Sequence, residues 1–408
     1  MSEPLFADLN GSNCLVGGLT AISFSASEDI HTDYAMATAV CKGGEQTKGS
    51  VVEAVIGGES VGEWVIDDWR LVYSGTETWR RPQGGSYGHI SLVQMTLRRK
   101  GWLQARATLS RSLLGSDRYP PKFCSTDHFE DLRDDAKARA AAGEIHYAQM
   151  LRELGAWIVV SSGKDIISYL CGLVGLSVTF RSSCDCVAPE YLPVTKSVMA
   201  ACREVASWSG GDCYLARDGT LIVYDFNEVF NRGQQVPVPQ VVTKIEYGEN
   251  IPYINQCTVV GSGPSRYWVP PEPPHFRPPG GNPNIPPFDP GHAGYWRYGS
   301  VRGVEVTETF SDGLPTVEQR VEINEYDINP SVASKLAKSI LAKAVLAAYY
   351  VSYMGPGMGS QSCEPVNSAC FAVKHSLTWN GSAYRYFVTI EGCRAVASFS
   401  TEAPDGWW

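Results

Sequence analysis

Chemistry in this chain would have to come from a short inventory of residues. Cys257, Cys363, Cys370 and Cys393, all in the last part of the chain, are the residues best able to hold a metal ion or an iron-sulfur cluster, because thiolates are soft anionic ligands. Their spacing matches no Cys-x-x-Cys knuckle, so disulfides or free thiols are the preferred reading. Cys184 and Cys186 have one residue between them, which is wrong for a zinc knuckle or a thioredoxin-type pair. Glu63, Asp67 and Asp68 stand beside Trp64 and Trp69. In a cleft, that set would offer a sugar an acid, a nucleophile and stacking platforms; on a strand-rich surface, acids beside aromatic residues are ordinary, and that reading is the stronger. His128 and His146 fall on what reads as polar helix surface and are weak candidates for a general base. The sequence contains no His-Glu-x-x-His, no Gly-x-Ser-x-Gly and no phosphate loop. Gly261 to Gly263 and Gly355 to Gly359 do not open helices, so neither can aim helix amides at a phosphate. Neither catalysis nor a cofactor is expected.

Composition sets the wider bounds. At 408 residues the chain exceeds one ordinary core, which suggests roughly two to four domains. Hydrophobic content of 44% is ample for folded cores, and 40 Gly, 20 Tyr and 11 Trp suit β-rich domains with many turns and aromatic contact surfaces. The net charge of −9 opposes a sequence-independent grip on phosphate backbones. The densest basic run, Arg98 to Lys100, reads as the solvated end of a strand. Twelve cysteines are too dilute for a disulfide scaffold, and Cys171, Cys202 and Cys213 lie on apolar faces as small hydrophobes. Met1 to Asp8 lacks the basic and apolar regions of a signal peptide, and no window approaches the ~18 apolar residues of a membrane span. Folding in a cytoplasm is therefore expected, which makes the Asn10 and Asn380 sequons incidental.

The positioning elements are clearest between Thr195 and Asp225. From Thr195 to Trp208, Val198, Met199, Cys202, Val205, Ala206 and Trp208 recur at helical steps, and Gly210 and Gly211 end the helix. Asp212 to Ala216 and Leu221 to Asp225 flank an Asp-Gly turn, a strong hairpin signal. Lys164 to Val174, Gly175 and Leu176 to Phe180 repeat the helix, glycine, strand order, and Trp157 to Val160 reads as a strand that pairs with the ribbon after it. Upstream, strand-like bursts at Leu19 to Ser25, Ser50 to Ile56, Glu63 to Ile66, Trp69 to Tyr73, Ile90 to Arg98 and Trp102 to Leu109 argue for a barrel or sandwich. Ser125 to Ala142 and Ile145 to Leu154 read as helices. Downstream, Gly303 to Phe310, Val317 to Tyr326, Ala372 to Trp379 and Tyr384 to Ile390 alternate as strands, with Asn380 and Gly381 as a hairpin turn. Between them a helix opens at Asn329 and Pro330 and runs from Val332 to Met354.

Eleven of the 25 prolines lie between Pro264 and Pro290. Such a segment is an extended loop, either a spacer or an arm. The arm is favoured, with His275, Phe276, Phe288, Tyr295 and Trp296 as anchors on a neighbouring subunit, because a bare spacer has little use for so many rings.

The element order and turn chemistry at Asp165 to Phe180, Glu204 to Asp212 and Ala216 to Tyr224 resemble the middle domain of bacteriophage tail hub, or baseplate hub, proteins. The resemblance implies an α+β fold: two β-barrel-like, tail-tube-like domains with a small α/β middle domain and a proline-rich loop. Laid on this sequence, residues 1–115 form the first barrel-like domain, 116–235 the middle domain, and 236–408 the C-terminal β-rich domain with its long helix, interrupted by the loop at 264–295. It further implies a homotrimer in which two similar domains per subunit meet a six-fold tube. The expected partners are the tail-tube protein, the tape-measure protein and tail-tip or fibre proteins; DNA passes without sequence-specific binding, and the location is the distal tail of a virion assembled in the host cytoplasm. Some tail-tip proteins of this kind carry iron-sulfur clusters, which keeps the four-cysteine reading open. The alternative from another class is a β-rich carbohydrate-active or cell-wall enzyme, and a third is a generic binding module with the proline-rich arm as its partner-seeking element.

Overall fold

The structure is a computed structural model that describes residues 13–29, 34–77, 88–116, 118–142, 145–226, 235–236, 244–249, 254–269, 295–310, 313, 315–355, 365–367, 370–380, 384–391 and 395–396. Its first six strands are β1 (Cys14–Val16), β2 (Leu19–Asp29), β3 (Tyr34–Lys42), β4 (Val51–Ile56), β5 (Glu59–Glu77) and β6 (Gly88–Arg99). They run in the order β1-β4-β5-β6-β3-β2, and β1 pairs with both β4 and β2, so the ring closes into an antiparallel barrel. Alternation supplies the interior, because every second residue faces inward. Phe24, Ile56, Trp64, Ile66, Met95 and Leu97 are buried there. The bursts at Glu63 to Ile66 and Trp69 to Tyr73 are one strand, β5, bent by register shifts at Ile66/Asp68 and Leu71/Tyr73.

The segment from Trp102 to Leu109, expected as a strand, instead begins with a short helix, α1 (Trp102–Ala105). Gly101, at φ +79, turns the chain out of β6 before another strand can form. Then come α2 (Arg111–Leu114), β7 (Phe123–Ser125), α3 (Thr126–Ala141), α4 (Ile145–Leu154), β8 (Ile158–Val160), α5 (Gly163–Val174), β9 (Val178–Phe180), β10 (Glu190–Tyr191), α6 (Val198–Ser207), β11 (Gly211–Leu215) and β12 (Leu221–Asp225). The expected hairpin is β11 with β12, closed by Gly219 at φ +83 and by Asp218, whose carboxylate accepts from the Thr220 amide at 2.9 Å. Strand β9 joins it in parallel, so both helix-glycine-strand units feed one sheet. Strand β8 does not join that ribbon; it pairs with β7, whose other neighbour is β10. Local chemistry sets the helix ends. Ser197 accepts from the Ala200 amide at 3.1 Å to start α6, Asp165 accepts from the Ser161 and Ser162 amides at 3.0 Å to start α5, and Gly175 ends α5 in the left-handed region.

The remaining elements are β13 (Gln235–Val236), β14 (Lys244–Glu249), β15 (Gln256–Val269), β16 (Tyr295–Thr309), β17 (Glu318–Ile323), α7 (Pro330–Ala348), β18 (Tyr349–Gly355), β19 (Pro365–Asn367), β20 (Cys370–Trp379), β21 (Tyr384–Glu391) and β22 (Ala395–Val396). Asn329 caps α7 as expected, its side chain accepting from the Val332 amide at 2.8 Å. The helix stops at Ala348, short of Met354, because Tyr349 to Tyr353 is an aromatic and β-branched run that becomes β18. Strands β15, β16 and β17 make a separate sheet under α7. Its buried Cys257 and Val259, with Val332, Ala333 and Leu341 of α7, belong to the same apolar cluster as α5 and α6. Strands β20, β21, β18 and β14 instead extend the barrel sheet outward from β2, and Leu377 and Trp379 of β20 join the barrel core. The C-terminal strands thus divide between two cores, and among the described residues their outer run stays open.

Candidate functional site

A buried cluster of charged groups sits where the barrel meets the β11–β12 turn and β20. Along β6, Val93, Met95, Leu97 and Arg99 share the inward parity, so Arg99 is carried inside; it is 2% exposed. There it forms an ion pair with Glu28 of β2 and lies 4.0 Å over the Trp64 ring of β5. A buried cation and carboxylate are tolerable only as a pair. Gly62, at φ +116, leaves the space, since a Cβ there would fall on Arg99 Nη1. The β11–β12 turn docks on the same spot: the Glu63 amide donates to the Arg217 carbonyl at 3.2 Å, and a Cβ on Gly219 would lie 2.7 Å from the Lys100 carbonyl oxygen. His375 of β20 is paired in register with Glu28, and burial, then the charges of Arg217 and Arg99, push its imidazole down to about 3. Five segments therefore converge on one buried ionic knot. The expectation that Arg98 to Lys100 ends in solvent fails at Arg99; its neighbours make outer ion pairs, Arg98 with Asp67 at 3.1 Å and Lys100 with Glu63 at 2.6 Å.

The catalytic candidates do not assemble. Trp64 is core, while Glu63, Asp67 and Asp68 are engaged on the barrel exterior, Asp68 with Lys48 at 2.8 Å, so they line no cleft. His146 is exposed, but His128 is buried, contrary to its reading as polar helix surface. Its Nε2 lies 3.7 Å from Glu190, which also pairs with Lys122, so the three tie α3, β10 and the start of β7 together. Burial alone would raise the Glu190 carboxyl, yet the nearby His128 imidazole and the Lys122 ammonium outweigh it and hold the group below its usual range. A cavity of about 520 Å³ adjoins His128, with Asp127, Asp131, Asp185, Cys186 and Ser331 in its wall.

The buried cysteines among the described residues behave as small apolar residues. Burial pushes the Cys257 thiol up to about 11, and those of Cys14, Cys41, Cys124 and Cys184 up to about 12. Cys171 and Cys202 approach to 4.0 Å as free thiols between α5 and α6. Cys257 lies in β15 and Cys370 in β20, in different sheets, while Cys363 and Cys393 lie outside the described residues. Among the described residues no three His, Cys, Asp or Glu side chains group as metal ligands.

Of the expected anchors, His275, Phe276 and Phe288 lie outside the described residues. Tyr295 and Trp296 open β16, opposite Val269 and Trp268 of β15. Pro264 to Val269, expected as loop, are strand. A proline is tolerated in a ladder where its missing N–H falls on an open edge, and past Gly261 no second strand pairs with β15 among the described residues.

No protein-family model and no curated protein matches the chain. Solved structures do. A tail protein from Neisseria meningitidis MC58 is 12% identical and superposes with a TM-score of 0.52 over 93% of this chain and 95% of its own. The 43 kDa tail protein of prophage MuSo2 from Shewanella oneidensis is 8% identical, with a TM-score of 0.54 over 93% of this chain and 98% of its own. The fold, along nearly the whole chain, is one that phage tail proteins use.

Proposed function

We propose that this chain is a structural protein of a phage tail: a homotrimeric hub at the distal end that joins a six-fold tail tube to central tip or fibre proteins. The observation that carries this reading is the two-way coverage, nearly end to end, with two tail proteins of similar length. The reading includes a second barrel-like unit in the C-terminal part, to which the outward run β20-β21-β18-β14 would contribute strands. Two such units in each of three subunits would present six roughly equivalent faces to a tube. The proline-rich arm, with His275, Phe276, Phe288, Tyr295 and Trp296, would grip a neighbouring subunit. Tape-measure protein and DNA would pass through, and the net charge of −9 suits a lining that does not hold phosphate. Its work would be assembly without bond making.

Light scattering on the full chain tests this together with a cell-wall clearing assay. A trimer or larger ring that leaves peptidoglycan intact is the expected result. A monomer at every concentration, or one that clears the wall, would sink the proposal and favour the enzyme.

A further inference from the structure

Residues 98–122 carry seven Lys and Arg against a single acid, Asp117, whereas residues 127–135 carry five Asp and Glu against a single Arg. Part of each excess is neutralised within the fold. Arg98, Arg99, Lys100 and Lys122 have the carboxylate partners described above, and Asp134 lies against Arg133 and Lys137. The remainder stands on two surfaces of opposite sign.

The basic surface is carried by α1 and α2. Ala105, Leu109 and Leu114 seat this stretch on the core built by α5 and α6, which leaves Arg106 and Arg111 exposed and Leu103 and Leu113 still 55% and 38% exposed. Arg98 and Arg106 both lie over the Trp102 ring, 4.7 and 5.1 Å from its centre. A guanidinium resting on an indole is already partly ordered, and Arg and Trp beside exposed leucine make the composition of a protein interface. Among the described residues, neither Arg106 nor Arg111 forms an ion pair.

The acidic surface is carried by α3. Asp127, Glu130 and Asp131 are spaced i, i+3 and i+4, so they share one face of the helix. Asp127 complements the positive end of α3, but Glu130 and Asp131 lie beyond the first turn, where Asp131 repels Asp127. The 520 Å³ cavity opens beside Asp127 and Asp131, with Asp185 in its wall. Among the described residues, Asp127, Glu130 and Asp185 form no ion pair.

A three-fold ring needs two unlike faces on each subunit, because every interface joins one patch to a different patch of the next copy. We propose that the α1–α2 surface of one subunit docks on the α3 surface of the next, with Arg106 and Arg111 meeting Asp127, Glu130 and Asp185. The inference rests on the homotrimer reading and names its interface. Nucleic acid is the poorer occupant of the basic surface. Two cations release few counterions, at a salt slope of about −0.9 each, and the leucines beside them offer phosphate nothing.

Sedimentation velocity of the full chain, at low and at high salt, tests it on the wild type, R106E/R111E, D127K/E130K and the exchange that combines all four substitutions. The wild type should assemble, and more weakly as salt rises. Each two-residue reversal should run as monomer where the wild type is assembled, a loss of ~100-fold or more in affinity. The four-residue exchange should assemble again, which mere damage to the fold would not allow. R106Q/R111Q should lie between and is read in place of R106E/R111E if that variant loses the native circular dichroism. Reversals that assemble like the wild type, or an exchange that stays monomeric, would overturn the proposal while leaving the trimer standing. A wild type that stays monomeric would overturn both. Binding to a short DNA duplex that R106E/R111E loses with its assembly unchanged would also overturn it and mark a nucleic-acid contact.

Discussion

The barrel and the α5–β12 module enclose apolar interiors by opposite means. In the module the central elements pack on their neighbours in sequence: α6 lies on β11, β11 pairs with β12 across a short turn, and Trp208 at the end of α6 donates to Tyr326 at 3.0 Å to fasten the unit to the segment between β17 and α7. The barrel also needs pairings between strands well apart in sequence, β1 with β4 and β3 with β6, and a buried ion pair joins β2 to β6 across β3. Local closure leaves signals in single residues, whereas long-range closure depends on pairing that no short window contains.

The sharpest way to break the comparison is at Arg99. Replacing it with Ala leaves Glu28 buried without its cation and removes the contact with Trp64, so denaturation should report a loss of about 3–5 kcal/mol. Lys100→Ala, which removes a pair whose side chains are 42% and 38% exposed, should cost about 0–1 kcal/mol. Equal losses would mean that the buried pair adds nothing to the hold between β6 and β2. A second experiment uses pH. Folded His375, facing Arg99, Arg217 and Glu28, binds a proton only near 3, whereas the unfolded residue does so at 6.5. The proton therefore favours the unfolded chain: the contribution is fully present above 6.5 and is lost as pH falls toward 3, at up to ~1.4 kcal/mol per pH unit. His375→Gln should lack this part of the slope, and parallel curves for variant and wild type would refute it. A small effect belongs to the module, where Asp165→Ala frees two amides at the start of α5 and should lower stability by about 1 kcal/mol. A loss as large as that of Arg99→Ala would erase the contrast between the regions.

What was legible in the sequence follows the same division. Asp218 and Gly219, Gly210, Asn329 and the apolar spacing of α6 announced their elements because each acts within a few residues. Strand β3 went unread because its inward residues, Ala37, Ala39 and Cys41, are small and contrast little with Thr38 and Val40. Arg99 looked solvated inside a basic run, although the parity of Val93, Met95 and Leu97 pointed it inward. The division of the C-terminal strands between two cores was invisible, since nothing near Phe24 or Trp379 says that they pair. His128 was misplaced for a related reason: the surface of α3 that reads as polar is covered by Glu190 of β10, a strand distant in sequence.

Strand β2 has a consequence for how the chain is made. Its Leu19 and Thr20 seal the ring with β1, while Phe24 to Asp29 pair with β20, almost the whole chain away. During synthesis the ring can shut early, yet one rim of β2 waits bare until the final strands emerge. Such distant pairing forms slowly, and an uncovered strand edge is where nascent polypeptides cross-pair with one another. Birth of this protein therefore has a hazardous interval that ends only when its tail returns to its head.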